Sequence, residues 1–122
     1  MSLQESGEMY LETIYELTQE KGNVRSIDIA NKMNYSKPSV SRAVHILEEN
    51  GYIVIDANGY LTLTESGREI AERTYERHQL LTLFFTRLGI SPETAAEDAC
   101  RIEHVISSET FDAIKRHAEK FS

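Results

Sequence analysis

Apolar positions recur at helical spacing through most of this chain, and the breaks in that rhythm mark where helices stop. Met9, Leu11, Ile14, Tyr15 and Leu17 share one face between Glu8 and Gln19, and Gly22 with Asn23 supplies a stop. A shorter helix follows, with Ser26 as its expected cap and Ile27, Ile29, Ala30 and Met33 as its apolar set, ending near Asn34 and Tyr35. Ser36 is the expected cap of a third helix. It has Pro38 in the first turn, where a missing N–H costs nothing, and Val40, Ala43, Val44 and Leu47 as its stripe up to Asn50 and Gly51. The rhythm then changes to strand-like runs at Tyr52-Ile53-Val54-Ile55 and Tyr60-Leu61-Thr62-Leu63. They flank Asp56-Ala57-Asn58-Gly59, a turn rich in residues that tolerate positive φ, so the pair is a predicted hairpin.

Thr64-Glu65-Ser66-Gly67 begins like a capping box. Ile70, Ala71, Tyr75, His78, Leu81, Leu83 and Phe84 then sustain one long helix to about Leu88, with Gly89 as its stop. Ser91-Pro92-Glu93 opens another helix carrying Ala95, Ala96, Ala99 and Cys100, whose run reaches Glu103 and His104 if the period holds; Ser107-Ser108-Glu109 caps a last one through Phe111, Ile114 and Ala118. Three helices followed by a hairpin predict a winged helix-turn-helix, with the third helix in the DNA major groove and the wing on the backbone. The expected fold class is therefore mainly α: a winged helix-turn-helix followed by an all-α part.

With 122 residues, 40% of them hydrophobic, the chain can build a real core. Apolar runs such as Leu80 to Phe85 are too short to span a bilayer, and the amino-terminal Met1-Ser2-Leu3-Gln4-Glu5 has no basic flank or apolar stretch typical of a secretory signal. A cytoplasmic location is expected, and one cysteine cannot form an internal disulfide. The net charge of -7 taken alone opposes nucleic-acid binding. Its distribution matters more: residues 29–47 hold Lys32, Lys37 and Arg42 and no acid, whereas residues 5–20 hold Glu5, Glu8, Glu12, Glu16 and Glu20. Charge by itself fits chance clustering on a solvated face as well. The third helix adds Ser36, Lys37, Ser39, Ser41 and Arg42 off its apolar stripe, a set suited to phosphate and base-edge contacts, with Arg42 the candidate for reading guanine. A winged helix used for protein contacts is the alternative.

Cys100, Glu103 and His104 carry the candidate chemistry. At positions i, i+3 and i+4 of a helix, a thiol, a carboxylate and an imidazole share a face and can close on one divalent transition metal, thiolate favouring softer ions. A buried cysteine packing as a small apolar residue is the plainer reading of the same pattern. An enzyme with a hydrolytic metal centre or a thiol nucleophile is a third, weakened by the lack of a Gly-rich phosphate or oxyanion cradle.

The segments Glu8-Met9-Tyr10-Leu11-Glu12-Thr13-Ile14-Tyr15-Glu16-Leu17, Ser36-Lys37-Pro38-Ser39-Val40-Ser41, Leu63-Thr64-Glu65-Ser66-Gly67, Arg77-His78 and residues 99–107 around Cys100-Arg101-Ile102-Glu103-His104 cover nearly the whole chain. In them the chain resembles the diphtheria toxin repressor family of metal-dependent transcriptional regulators, of the iron-dependent repressor and manganese transport regulator type. The resemblance implies a winged helix-turn-helix DNA-binding domain over residues 1–72, a helical dimerisation and metal-binding domain over residues 73–122, and a homodimer that binds a palindromic operator when metal-loaded. It implies DNA contacts from Arg25, Ser36, Lys37, Pro38, Ser39, Ser41 and Arg42. The chain ends at Ser122, so a short form without the small barrel of longer members is expected.

Ligands carry over residue by residue. The iron-responsive branch's Met, Cys, Glu and His match Met9, Cys100, Glu103 and His104. The manganese branch matches at Glu12 and His78 but has an Asp where this chain has Met9 and a Glu where it has Cys100. The iron branch's ancillary site is incomplete, because Thr82 and Ala96 stand at its acidic and His positions. The resemblance thus implies a metal arrangement built from Met9, Glu12, His78, Cys100, Glu103 and His104, with the cation bridging the first helix to the second domain. Sulfur in place of two carboxylates disfavours Mn(II) and points to Fe(II), with Co(II), Ni(II) and Zn(II) as alternatives.

Overall fold

Alternating helix and turn signals come out as six helices and one two-stranded sheet in the computed structural model, which describes residues 5–120. Residues 1–4, where the lack of a signal segment was the expectation, lie outside the described residues. The chain divides into two compact units, residues 1–72 and 73–122.

In the first unit α1 runs over Glu5–Lys21, α2 over Ser26–Met33 and α3 over Lys37–Glu49. Helix α1 starts three residues before the first residue of the predicted span, because polar residues extend it beyond its apolar stripe. Its end is fixed by Gly22, whose φ of 86° no side chain adopts cheaply and whose N–H bonds to the Thr18 carbonyl at 3.0 Å. The cap of α2 differs from expectation. Arg25 occupies the cap position and Ser26 is already helical; the Asp28 carboxylate reaches back to accept the Arg25 N–H at 2.8 Å, which is the return half of a capping box. Ser36 caps α3 as expected, accepting the Ser39 N–H at 3.3 Å, with Pro38 in the first turn.

Strands β1 (Ile53–Ile55) and β2 (Leu61–Leu63) pair antiparallel, with Ile53 opposite Leu63 and Ile55 opposite Leu61. The Asp56 side chain closes the wing tip by accepting the N–H groups of Asn58 and Tyr60 at 2.8 and 2.9 Å. Leu11, Ile14, Val24, Ile29, Val40, Val44 and Ile53 are sealed into the core of this unit, and Leu61 from β2 and Ala71 join it.

Helix α4 spans Glu65–Arg87. Thr64 caps it by accepting the Gly67 N–H at 3.2 Å, and the same hydroxyl donates to the Gly51 carbonyl at 2.7 Å. No carboxylate completes a capping box, because Gly67 stands where the acid would be. A Cβ there would fall inside contact distance of the Tyr52 carbonyl oxygen.

The second unit continues α4 and adds α5 (Pro92–Ile102) and α6 (Ser108–Lys120). Gly89, at φ 98°, ends the α4 turn, and Ser91 and Ser107 cap the following helices through Thr94 and Thr110 N–H groups. Its core is small: Leu81, Ala99 and Phe111, flanked by Leu80, Phe85, Ile102, Ile106 and Ile114. Helix α5 stops at Ile102. Glu103 keeps helical dihedrals at its C-cap, and His104 lies in the turn toward α6, which corrects the expectation that Cys100, Glu103 and His104 stand on one continuous helix.

Candidate metal centre and nucleic-acid interface

Within the second unit the structure brings His78, Glu103 and His104 together. Glu103 is only 1% exposed. Its Oε2 lies 2.8 Å from His78 Nδ1 and its Oε1 lies 3.3 Å from His104 Nε2, and the His104 side chain is buried as fully as the carboxylate. A buried carboxylate is costly without compensation, so its two oxygens face the imidazoles of α4 and of the α5–α6 turn. Each imidazole meets a different oxygen of this one carboxylate; deprotonated carboxylate and neutral imidazole are ligand forms that a divalent transition metal takes. Cys100 stands three residues ahead of Glu103 on α5 and is half-buried, adding a soft donor type to the same helix.

Met9 and Glu12 belong to α1 in the first unit. Met9 is half-buried, its sulfur accepting the Tyr35 hydroxyl at 4.0 Å, while Tyr35 also stacks at a tilt against Tyr10. Glu12 is buried. Burial and the neighbouring Tyr35 push the Tyr10 hydroxyl above its ordinary value.

Sequence reasoning missed Arg77. Its guanidinium donates to the carbonyl oxygens of Glu103 at 3.2 Å and Ile106 at 2.9 Å and to the Ser108 hydroxyl at 3.4 Å, and it lies over the Phe111 ring. The adjacent Arg77-His78 pair was the only signal available, since main-chain carbonyls leave no trace in composition.

On the nucleic-acid side, Ser36, Lys37, Pro38, Ser41 and Arg42 are exposed on or just before α3 and Ser39 is half-buried. Of the three cations in the acid-free stretch, Lys32 is taken up by Glu16 and Glu20 of α1 at 3.4 and 3.1 Å. Among the described residues no ion pair engages Lys37 or Arg42, so these two carry the positive character of the surface. The Ser36 and Ser39 hydroxyls bond to each other at 2.8 Å, which leaves Ser41 as the hydroxyl not committed to the cap. Arg25 is exposed and its guanidinium lies 4.6 Å over the ring of Tyr60 at the wing.

A winged helix with an exposed cationic helix, joined to a helical unit holding a buried carboxylate between imidazoles, defines a DNA-binding regulator with a metal site. Residues 2–61 match the family described as iron dependent repressor, N-terminal DNA binding domain, and residues 64–122 match its metal binding and dimerisation domain. The chain belongs to the iron-dependent, or diphtheria toxin, repressor family, whose members are transcriptional regulators and not enzymes. It is 36% identical over 111 residues to the transcriptional regulator MntR of Escherichia coli, covering 91% of this chain and 72% of that one. Among solved structures it is similar to the manganese regulator SloR, at a TM-score of 0.82 and 28% identity over 98% of this chain. It is similar also to T. acidophilum IdeR, at a TM-score of 0.79 and 31% identity over 99% of this chain. The chain spans 55% of the length of each of these two solved chains. Among the described residues no helix is long and apolar enough to cross a membrane.

Proposed function

We propose that this protein is a metal-activated repressor that binds a palindromic operator as a homodimer, with α3 in the major groove and the wing on the backbone. The observation that carries the metal half of this reading is the buried Glu103 carboxylate with an imidazole nitrogen at each oxygen. His78, Cys100, Glu103 and His104 are the donors of the second unit, and Met9 and Glu12 of α1 complete the proposed set. When bound, the cation supplies the charge that offsets the carboxylates. Met9 and Glu12 of α1 and His104 of the α5–α6 turn would hold the same ion, and that shared ligation would tie the helix-turn-helix to the second unit. Two recognition helices of a dimer must stand roughly 34 Å apart to enter successive major grooves, and a tied head holds that spacing.

Arg42 and Lys37 meet the duplex, Arg42 as the base reader and Lys37 as a phosphate contact. Fe(II) is the favoured ion, because the thioether of Met9 and the thiol of Cys100 replace hard oxygen donors. The names of the manganese regulators MntR and SloR favour Mn(II) as the rival.

The test selects duplex DNA from a random-sequence pool with the purified protein and then measures affinity for the selected site with Fe(II), Mn(II) and Zn(II) separately. His104→Ala is expected to abolish the metal-dependent gain while circular dichroism stays unchanged. Full affinity in metal-stripped buffer, or an unchanged gain in the variant, refutes the reading.

A further inference from the structure

We propose that Arg77 is a positioning residue for the metal centre, holding the α5–α6 turn so that the Glu103 carboxylate meets His78 at one oxygen and His104 at the other; this rests on the metal reading above. The last carbonyls of a helix lack intrahelical partners, and α5 ends where its chain must turn sharply toward α6. Arg77 meets that end from α4. One guanidinium nitrogen reaches both the Glu103 and the Ile106 carbonyl oxygens, the other reaches the Ser108 hydroxyl at the start of α6, and the guanidinium lies 5.4 Å from the Phe111 ring centre. A fixed cation at a helix C-terminus also complements the helix dipole.

Glu103 is therefore held at both ends by neighbouring residues of α4: its main chain by Arg77, its carboxylate by His78 at 2.8 Å. His104 follows directly, so its ring direction depends on the same clamped turn. Lysine lacks the planar fork that bridges several acceptors at once and would hold the turn by single contacts only. Loss of such an outer partner typically weakens metal affinity about 10- to 100-fold.

The experiment titrates the full chain with Co(II), reading affinity and the visible absorption band that reports coordination geometry, for the unsubstituted protein, Arg77→Met, Arg77→Lys and His104→Ala. Amide hydrogen exchange over residues 103–108 is followed in parallel on metal-free protein. Arg77→Met is expected to bind Co(II) about 10- to 100-fold more weakly, with a changed band and faster exchange in the turn, and Arg77→Lys to recover part of each. Affinity, band and exchange equal to the unsubstituted protein overturn the proposal. If Arg77→Met loses its helical signal, Arg77→Lys decides: a weaker affinity with a changed band supports the clamp, and an unchanged pair overturns it. Undiminished Co(II) binding by His104→Ala instead sinks the metal reading, while exchange in the metal-free turn still decides whether Arg77 holds it.

Discussion

The two units of this chain are stabilised by different means. The first seals Leu11, Ile14, Val24, Ile29, Val40 and Ile53 into one large apolar interior, with Glu12 and Thr13 of α1 as its buried polar residues. The second has Leu81, Ala99 and Phe111 as its buried apolar cluster and gives other buried positions to Thr74 and Glu103, with Arg77 reaching across to main-chain carbonyls. Hydrophobic burial offers no donor to a single cation or proton, whereas a buried carboxylate among imidazoles changes its free energy with whatever cation or proton occupies the donors. The first unit thus rests mainly on a large apolar interior, and the second rests more on groups that respond.

Truncating the large core should separate the units most sharply. Leu11→Ala is expected to cost about 2 to 5 kcal/mol in urea unfolding and to accelerate amide exchange in α2 and α3; a loss confined to residues 73–122 would break the contrast. Metal acts on the other side. A cation at about 100 times its Kd should add about 2.7 kcal/mol of stability, seen as slowed exchange over residues 103–108, and a chelator should reverse it. No change in that turn would remove the responsive character from the second unit.

Arg42→Ala touches neither core. It should leave unfolding unchanged while weakening specific DNA binding by about 1 to 3 kcal/mol in gel shifts; an equal loss on all sequences would make Arg42 a phosphate contact. The smallest effect concerns Asp28, whose carboxyl is held below its ordinary value by the Lys21 ammonium and then by the Arg25 N–H. A lowered folded value contributes stability above the unfolded value of about 3.9 and loses it as pH falls through the folded one. Asp28→Asn should therefore cost about 1 kcal/mol or less at neutral pH and leave a shallower acid limb in unfolding against pH.

Most of the architecture was legible because periods of 3.6 and 2 alternate cleanly between glycine and proline stops. Caps were less so. Arg25 is not a capping type, and only the reach of Asp28 back to its N–H makes the position a cap. The end of α5 was misread for a related reason: nothing in Ile102-Glu103-His104 itself stops a helix, and the turn is held by Arg77 from 26 positions upstream in the case of Glu103. The charge pattern also needed coordinates, since Lys32 looked like part of a basic surface and is occupied by Glu16 and Glu20. The buried carboxylate was foreshadowed by its neighbours in the motif, but spacing could not say that His78 of a different helix would meet it.

Gly67 has a consequence for how such a scaffold diversifies. Because the Tyr52 carbonyl fills the space any Cβ would take, the root of the wing is closed to other amino acids without backbone rearrangement. The tip is closed by a single Asp56 side chain over exposed residues and tolerates changes of length and composition. On the proposed reading, new DNA preferences on this frame would arise from the tip and from the outer face of α3, while the junction of wing and long helix stays fixed.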